Sequence, residues 1–257
     1  VVLLPTYNEA GVLGPVIDEV RGYAGALPDH ALHVLIVDGG STDGTAELAR
    51  ARAAADAHVH LLETKRGLGL ALVQGYRYAM DELRPDVIAQ IDADGQSSPE
   101  VLVKLVEGVD QGCDLVIGSR FVPGGRNELP FYRRLFSSGS SLVFRLLVGP
   151  RSVREVTNMA RAFTPDLLAK LDLDALPWEA QSFIFLPAFL HEAIRAGARC
   201  REVPLVFKSR AGGYSKNRVL LYTWNMLAYC LSVRLHGWSQ SARKRGRKRW
   251  SPRPQLD

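Results

Sequence analysis

The sequence predicts an α/β fold: a parallel sheet with helices on both faces. Three observations carry this. Short apolar runs alternate with longer amphipathic segments through the first 117 residues, the pattern of strand–helix units. The apolar runs at 1–4, 32–37 and 87–91 each lead into a polar, turn-forming segment, as strands do where a sheet meets a ligand edge. The chain has 257 residues and is 47% hydrophobic, enough for one large domain, or one domain with a small appendage, that buries a full core.

Each element has its own signal. A strand at 1–4 precedes a helix at 10–24, and a strand at 32–37 ends at Asp38. A helix at 42–55 follows, with Ser41 or Thr42 as its cap. A strand at 59–62 and a helix at 69–83 come next, then the strand at 87–91. Ser98-Pro99-Glu100 opens a helix running to about Val109, with Ser at the cap and Pro just inside. A strand follows at 115–117. Beyond Arg120 the alternation gives way to a loop at Pro123-Gly124-Gly125 and helices at 131–148, 165–171 and 180–196. A late strand is expected at 201–207, and no internal repeat is evident. In such a sheet, segments 5–9, 38–45, 92–96 and 118–120 all belong at the carboxyl edge.

Residues 219–235 are mostly apolar but interrupted by Thr223, Asn225 and Ser232. Arg218, Asn225 and Ser232 fall seven apart, on one narrow polar face. A membrane span needs ~20 apolar residues. This segment is expected instead as an amphipathic helix in a membrane interface, with packing on the core or on a second subunit as the alternative. The basic character of the chain sits in the tail. Residues 241–257 hold seven of the 32 basic and one of the 27 acidic side chains, which leaves 25 against 26 in the rest. Such a run is a solvated end or a contact for anionic lipid, at about 1 kcal/mol per basic residue. Cys113, Cys200 and Cys230 show no paired spacing and read as free thiols in a reducing compartment. No signal peptide is visible, and Val1 in place of Met fits a trimmed leader.

Asp92-Ala93-Asp94-Gly95-Gln96 is the most informative stretch. Two carboxylates one residue apart at a strand end are hard oxygen ligands for Mg²⁺ or Mn²⁺, and Gln96 adds a neutral carbonyl oxygen. Metals held this way keep positions open for phosphate oxygens, which points to an enzyme acting on a diphosphate. The plain alternative is a polar turn with Asx hydrogen bonds.

Pro5-Thr6-Tyr7-Asn8-Glu9, Asp38-Gly39-Gly40-Ser41-Thr42-Asp43-Gly44-Thr45 and Asp92-Ala93-Asp94 occur in order, each after a strand. Together they resemble the family 2 glycosyltransferases, inverting enzymes of the GT-A fold that use nucleotide-sugar donors. Gly118-Ser119-Arg120-Phe121-Val122-Pro123-Gly124-Gly125, Arg133-Arg134, Glu202-Val203-Pro204-Leu205-Val206-Phe207 and Arg210-Ala211-Gly212-Gly213-Tyr214-Ser215-Lys216 are similar to the polyprenol-phosphate (dolichol-phosphate) mannose synthase branch. The likeness covers roughly residues 1–220.

That resemblance implies a doubly wound mixed GT-A sheet flanked by helices, with a C-terminal amphipathic helix. It divides the chain into a catalytic domain at 1–210, an acceptor loop and interface helix at 211–240, and a basic disordered tail at 241–257. A GDP- or UDP-hexose donor is expected against Pro5, Tyr7, Asn8, Glu9, Asp38, Gly67, Asp92, Ala93 and Asp94. Asp92, Asp94 and Gln96 would hold Mg²⁺ or Mn²⁺. The acceptor phosphate of a polyprenyl lipid would meet Arg120, Arg134, Ser138, Arg210 and Lys216, and the catalytic set would be Asp92, Asp94, Arg120 and Arg210. A lipid monophosphate, with a second pKa of about 6, needs little general-base help; it needs cations, and Arg forks match phosphate oxygens.

The implied reaction is transfer of a hexose, mannose first, at the cytoplasmic face of the plasma membrane by a peripheral protein. Residues 156–163 and 178–183 depart from the branch pattern, which keeps glucose, galactose and N-acetylhexosamine open. A non-catalytic membrane-surface protein on a degenerate transferase domain is the alternative from another class. Nucleic acid is not an expected partner, and a homo-oligomer stays open. A dinucleotide-binding oxidoreductase is set aside because Gly67-Leu68-Gly69 is followed by Leu72 where a third glycine belongs. A metal hydrolase is set aside because the six histidines lack ligand spacing.

Overall fold

The computed structural model describes residues 1–129, 131–149, 152–174, 176, 184–208 and 219–236. Three apolar runs form β1 (Val2–Thr6), β2 (Val34–Asp38) and β3 (Val59–Glu63), which pair in parallel. They alternate with α1 (Ala10–Gly22), α2 (Thr45–Ala55) and α3 (Leu68–Tyr78). β4 (Ile88–Gln90) joins the other side of β1, again in parallel. α4 (Val101–Asp110) leads to β5 (Leu115–Ser119). Next come β6 (Arg126–Asn127), α5 (Phe131–Leu147), β7 (Arg161–Phe163), α6 (Pro165–Lys170) and α7 (Phe185–Arg195). β8 (Cys200–Pro204), β9 (Val206–Phe207) and α8 (Val219–His236) complete the described chain.

The main sheet runs β3-β2-β1-β4-β7-β5-β8. The period-2 pleat explains its two cores. Leu3, Leu35, Ile88, Leu115 and Ile117 face one cluster with α3, α6 and α7, while Val2, Leu4, Val34, Ile36 and Val116 face a second with α1 and α4. α3 comes close to the sheet at Gly75, where an added Cβ would lie 2.7 Å from Leu3 Cδ2 and 2.9 Å from Val37 Cγ2. α8 returns to the first cluster through Met226 and Cys230.

The sheet is mixed, as the family resemblance implies: β7 runs antiparallel between β4 and β5, a feature that the apolar alternation by itself did not reveal. Three residues headed by an arginine do not look like a central strand. Arg161 is nevertheless buried, because its guanidinium donates to the carbonyls of Asn158, Val156 and Leu186. The expected strand at 201–207 splits at Leu205, whose N–H donates to Ser119 O and whose carbonyl accepts from Arg126 N. The chain thereby passes from the main sheet into a two-stranded ribbon of β9 with β6. Neither Ser41 nor Thr42 caps α2; Gly44 does, at φ 93°, with Asp43 Oδ1 accepting from Thr45 N at 3.1 Å. Nor does Ser98 cap α4, which starts after a main-chain turn with Glu100 at its N-cap. The expected helix from 180 is described from Phe185, and residues 177–183 lie outside the described residues.

At the far, amino edge of the sheet, His33 Nδ1 and His60 Nε2 share a hydrogen bond of 2.9 Å, and His58 packs on His33 at 4.9 Å between ring centroids. Burial and then the neighbouring imidazoles push both His33 and His60 below their ordinary pKa. The unfolded chain therefore takes up protons first as pH falls below about 6.5, so the stability present above that pH is lost on acidification. Thermal melts are expected to drop in midpoint from pH 7.5 to 5.5. A His33→Gln/His60→Gln variant should show a flatter profile over that window; an equally steep one would remove this pair as the cause.

Candidate functional site

Parallel strands deliver their carboxyl ends to one edge, and the loops there are joined by side chains that accept main-chain N–H groups. After β1, Asn8 takes a left-handed conformation (φ 55°). Its N–H donates to Ser41 Oγ at 2.8 Å, and its Oδ1 accepts from Thr42 N at 2.9 Å. Glu9 N donates to Thr45 Oγ1, and Ala10 N to Asp43 Oδ2. Asp43 thus accepts from the first residues of both α1 and α2. Burial opposes its charge, but Thr45 and these amides outweigh that and keep its carboxyl below the usual range.

Asp38, at the end of β2, is buried and organises its own loop. Its carboxylate accepts from Gly40 N (3.0 Å), Ser41 N (2.9 Å), Thr6 Oγ1 (3.3 Å) and Ser41 Oγ. Those four donors match the roughly four lone-pair sites of a carboxylate. Two of these four donors, Ser41 Oγ and Thr6 Oγ1, are hydroxyls that can rotate. From the loop after β3, Arg66 lies over the Tyr7 ring, 4.4 Å from its centroid. Gly39 packs near Arg66 Cα, and Gly67 (φ 147°) sits at the N-cap of α3. Pro5 pairs with Val37 inside the sheet. The first three loops therefore converge, bringing Tyr7, Asn8, Glu9, Asp38 and Gly67 to one region.

The acidic loop follows β4. Asp92 Oδ2 accepts from Ser97 Oγ at 3.1 Å, and Asp94 Oδ1 from Gln96 N at 3.0 Å. Ala93 and Asp94 are buried, and Gly95 makes the turn at φ 72°. The far side of the loop is strapped to residues 206–208. Lys208 N donates to Gln96 O (2.8 Å), Gln96 Nε2 donates to Lys208 O (3.2 Å), and Ser97 bridges to Phe207. The amide nitrogen of Gln96 is thus turned to the main chain of Lys208. Among the described residues no three His, Cys, Asp or Glu side chains gather around one point. A cation at Asp92 and Asp94 would take its remaining ligands from bound phosphate oxygens and water, as Mg²⁺ and Mn²⁺ sites of this donor type do.

Arg120, just after β5, makes two near-parallel bonds to Glu155, Nε to Oε2 at 2.7 Å and Nη2 to Oε1 at 2.8 Å, and a third to Thr157 Oγ1 at 3.0 Å. The side chains are 5% and 0% exposed. The guanidinium lies between the rings of Phe121 and Phe207, 5.5 and 5.2 Å away. Burial would raise the Glu155 carboxyl, but Arg120, Thr157 and main-chain donors outweigh it and hold it below the usual range. Glu155 Oε1 also accepts from Thr157 N and Asn158 N, and Glu155 N in turn donates to Glu202 Oε1 on β8. Phe207 links this cluster to the acidic loop, since it bridges Ser97 on one side and underlies Arg120 on the other.

Glu155, Thr157 and Phe207 are the residues that sequence reasoning missed. Glu155 gave no local signal: with Arg154 beside it and Ser152, Thr157 and Asn158 around it, the stretch reads as a polar turn. Among the expected phosphate ligands, Ser138 is exposed on α5, and Arg134 lies on the same helix with its side chain outside the described residues. Arg210 and Lys216 also lie outside the described residues.

Residues 1–168 match the model of glycosyl transferase family 2. The chain is 40% identical over 217 residues to an undecaprenyl-phosphate mannosyltransferase of Micrococcus luteus, covering 83% of this chain and 85% of that one. It is 36% identical over 219 residues to a polyprenol monophosphomannose synthase of Mycolicibacterium smegmatis, covering 84% and 79%. Among solved structures, it superposes with TM-score 0.62 and 21% identity on glucosyl-3-phosphoglycerate synthase of Mycobacterium tuberculosis bound to Mn²⁺ and UDP, over 91% of this chain and 78% of that one. A mannosyltransferase of Pyrobaculum calidifontis bound to GDP-Man and Mn²⁺ gives TM-score 0.56 at 18% identity, over 95% and 72%.

Removing one member of a buried ion pair strands the other. Glu155→Ala is therefore expected to cost about 3–5 kcal/mol in urea denaturation, and Arg120→Ala a similar amount. The Arg120→Met/Glu155→Leu pair should recover most of the loss. A cost below about 1 kcal/mol for Glu155→Ala, the range of exposed pairs, would contradict the geometry.

Proposed function

The chain belongs to glycosyl transferase family 2, and from that premise we propose that it transfers a hexose, mannose first, from a nucleotide-sugar donor to a polyprenyl monophosphate with inversion. The observation that carries this is the joining of two chemistries. An acidic loop suited to a metal diphosphate is strapped through Ser97 and Phe207 to Arg120, a cation suited to an anionic acceptor. The names of the two relatives at 40% and 36% identity support mannose and a polyprenyl acceptor. The structural neighbours bound to UDP and GDP-Man leave both nucleotides open.

In this reading Tyr7, Asn8, Glu9, Asp38 and Gly67 line the nucleotide end of the donor, with Pro5 behind them. Asp92 and Asp94, with Gln96, hold Mg²⁺ or Mn²⁺ against the diphosphate. A divalent cation there would neutralise the charge growing on the departing nucleoside diphosphate. Arg120 is the preorganised cation beside the acceptor, its direction set by Glu155 and Thr157. Arg134, Ser138, Arg210 and Lys216 complete the phosphate grip. One phosphate oxygen forms the new bond to the anomeric carbon as the bond to the nucleoside diphosphate breaks on the opposite face. The attacking group is already ionised, so no side chain has to remove a proton.

The acceptor resides in a membrane. Among the described residues no helix is long and apolar enough to cross one. The reading places the protein at the membrane surface, on the cytoplasmic side where nucleotide sugars are found, with the basic tail beside anionic lipid.

Transfer from GDP-mannose to a short polyprenyl phosphate should require Mn²⁺ or Mg²⁺ and stop with EDTA. Asp92→Asn and Asp94→Asn should each lower kcat by about 10²-fold or more, the scale of a lost transition-state charge stabiliser. Arg210→Ala should abolish lipid transfer while sparing donor binding; undiminished transfer would favour a soluble acceptor. Absence of metal-dependent turnover with every nucleotide hexose would remove the enzymatic reading.

A further inference from the structure

A buried carboxamide lies between the acidic loop and Arg120. β7 sits between β4 and β5 and runs against both, with Arg161 opposite Gln90 and Ile117. The residues just before Arg161 therefore emerge where β4 and β5 end, between the acidic loop that follows the one and Arg120 that follows the other. Hydrogen bonds hold them there. Gly118 N donates to Ala160 O at 2.8 Å, Gln90 Nε2 to Met159 O at 3.0 Å, and Arg120 Nη2 to Thr157 Oγ1 at 3.0 Å. Asn158 stands in the middle of this stretch and is 4% exposed.

The orientation of its side chain is fixed. Ala160 N donates to Asn158 Oδ1 at 2.8 Å, and a main-chain N–H is answered only by the oxygen of a carboxamide. The main-chain N–H of Asn158 donates to Glu155 Oε1 at 3.2 Å. That leaves Nδ2, a buried donor with no acceptor among the described residues. A buried donor left unanswered is destabilising, and such an atom in a native fold calls for an explanation. Its neighbours raise no such question, since Glu155 and Arg161 both have their partners. The orphan falls at the place in the fold where a bound group would come between the two candidate binding regions.

Its chemistry selects the ligand atom. A donor diphosphate would face the carboxylates of Asp92 and Asp94, and an anionic acceptor would face Arg120. The group being transferred must lie between them, and the oxygens it offers there are uncharged hydroxyls. A neutral NH₂ suits such an oxygen, whereas a phosphate oxygen is bound more strongly by a guanidinium.

We propose that Asn158 holds the transferred hexose, with Nδ2 donating to one hydroxyl of the sugar ring and thereby selecting which hexose is accepted. The proposal rests on the glycosyl-transfer reading above and adds to it a residue that recognises the sugar. A site built to bond a hydroxyl rejects the analogue that lacks it, because the buried donor is then stranded.

The test uses the full chain with Mn²⁺, GDP-mannose, its monodeoxy analogues at the ring and exocyclic hydroxyls, and a short polyprenyl phosphate. Asn158→Ser keeps an oxygen for Ala160 N but lacks the NH₂, and Asn158→Ala lacks both; circular dichroism checks that each folds. In the parent, one monodeoxy donor should have kcat/KM at least about tenfold below GDP-mannose. In both variants GDP-mannose should fall by a similar factor, and the penalty for that one analogue should vanish while those at the other positions persist. GDP, which has no hexose, should bind the variants as it binds the parent in calorimetry. A merely structural Asn158 would weaken GDP or lower all donors alike, and either result would overturn the proposal. So would variants as active as the parent, or a parent indifferent to every deoxygenation, which needs no variant to be seen. A parent that turns over GDP-mannose but shows no coupling to Asn158 sinks this proposal alone; a parent inactive with every nucleotide hexose sinks the transfer reading and this proposal with it.

Discussion

The buried bond between Arg120 and Glu155 is the constraint on which the carboxyl edge depends. A carboxylate with no solvent access stays ionised only if its lone pairs are filled. Glu155 meets that demand with Arg120, the Thr157 hydroxyl and the amides of Thr157 and Asn158. Those bonds fix the chain that enters β7, and β7 in turn lies between β4 and β5, whose ends carry the acidic loop and Arg120. One ion pair thereby sets the spacing of two candidate binding regions.

The same device recurs along the edge. Asp38 holds the amides of its own loop, Asp43 serves the starts of two helices, and Glu202 takes the amides of Arg154 and Glu155. Each uses a carboxylate where the sheet has run out of ladder partners, satisfying main-chain donors that would otherwise be exposed or stranded. The result is a rim of preorganised loops, the condition under which charged groups stabilise a transition state without first reorganising.

Much of this was legible in the sequence. Strands β1 to β5 are short apolar runs with turn residues after them, and periodicity alone finds such elements. The family motifs located the acidic loop and the three converging loops. What the sequence hid were tertiary effects. β7 was missed because Arg161 reads as a surface residue, and only the fold supplies the three carbonyls that bury it. The break at Leu205 was missed because the apolar pattern of 201–207 continues unchanged while the hydrogen-bond partners switch sheets. The caps failed at Ser41, Thr42 and Ser98 because the hydroxyl of Ser41 is committed to Asp38, and a main-chain turn already starts α4. Arg120 was singled out for its charge, but its buried partner Glu155 is 35 residues away, a separation that no local pattern encodes. α8 was expected in a membrane interface, or on the core or a second subunit. The structure shows one face on the core, through Met226 and Cys230, and exposed leucines elsewhere on the helix.

The central claim is that Asp92 and Asp94 hold a divalent cation that is completed only by a diphosphate. Electron paramagnetic resonance of Mn²⁺ tests it most directly. With protein alone, the six-line signal of hexaaquo Mn²⁺ should fall only slightly; adding GDP or UDP should quench it at stoichiometric protein, beyond what the nucleotide does by itself. An Asp94→Asn protein should leave the signal at the nucleotide-only level. Equal quenching by the parent and that variant, or none by either, would contradict the account.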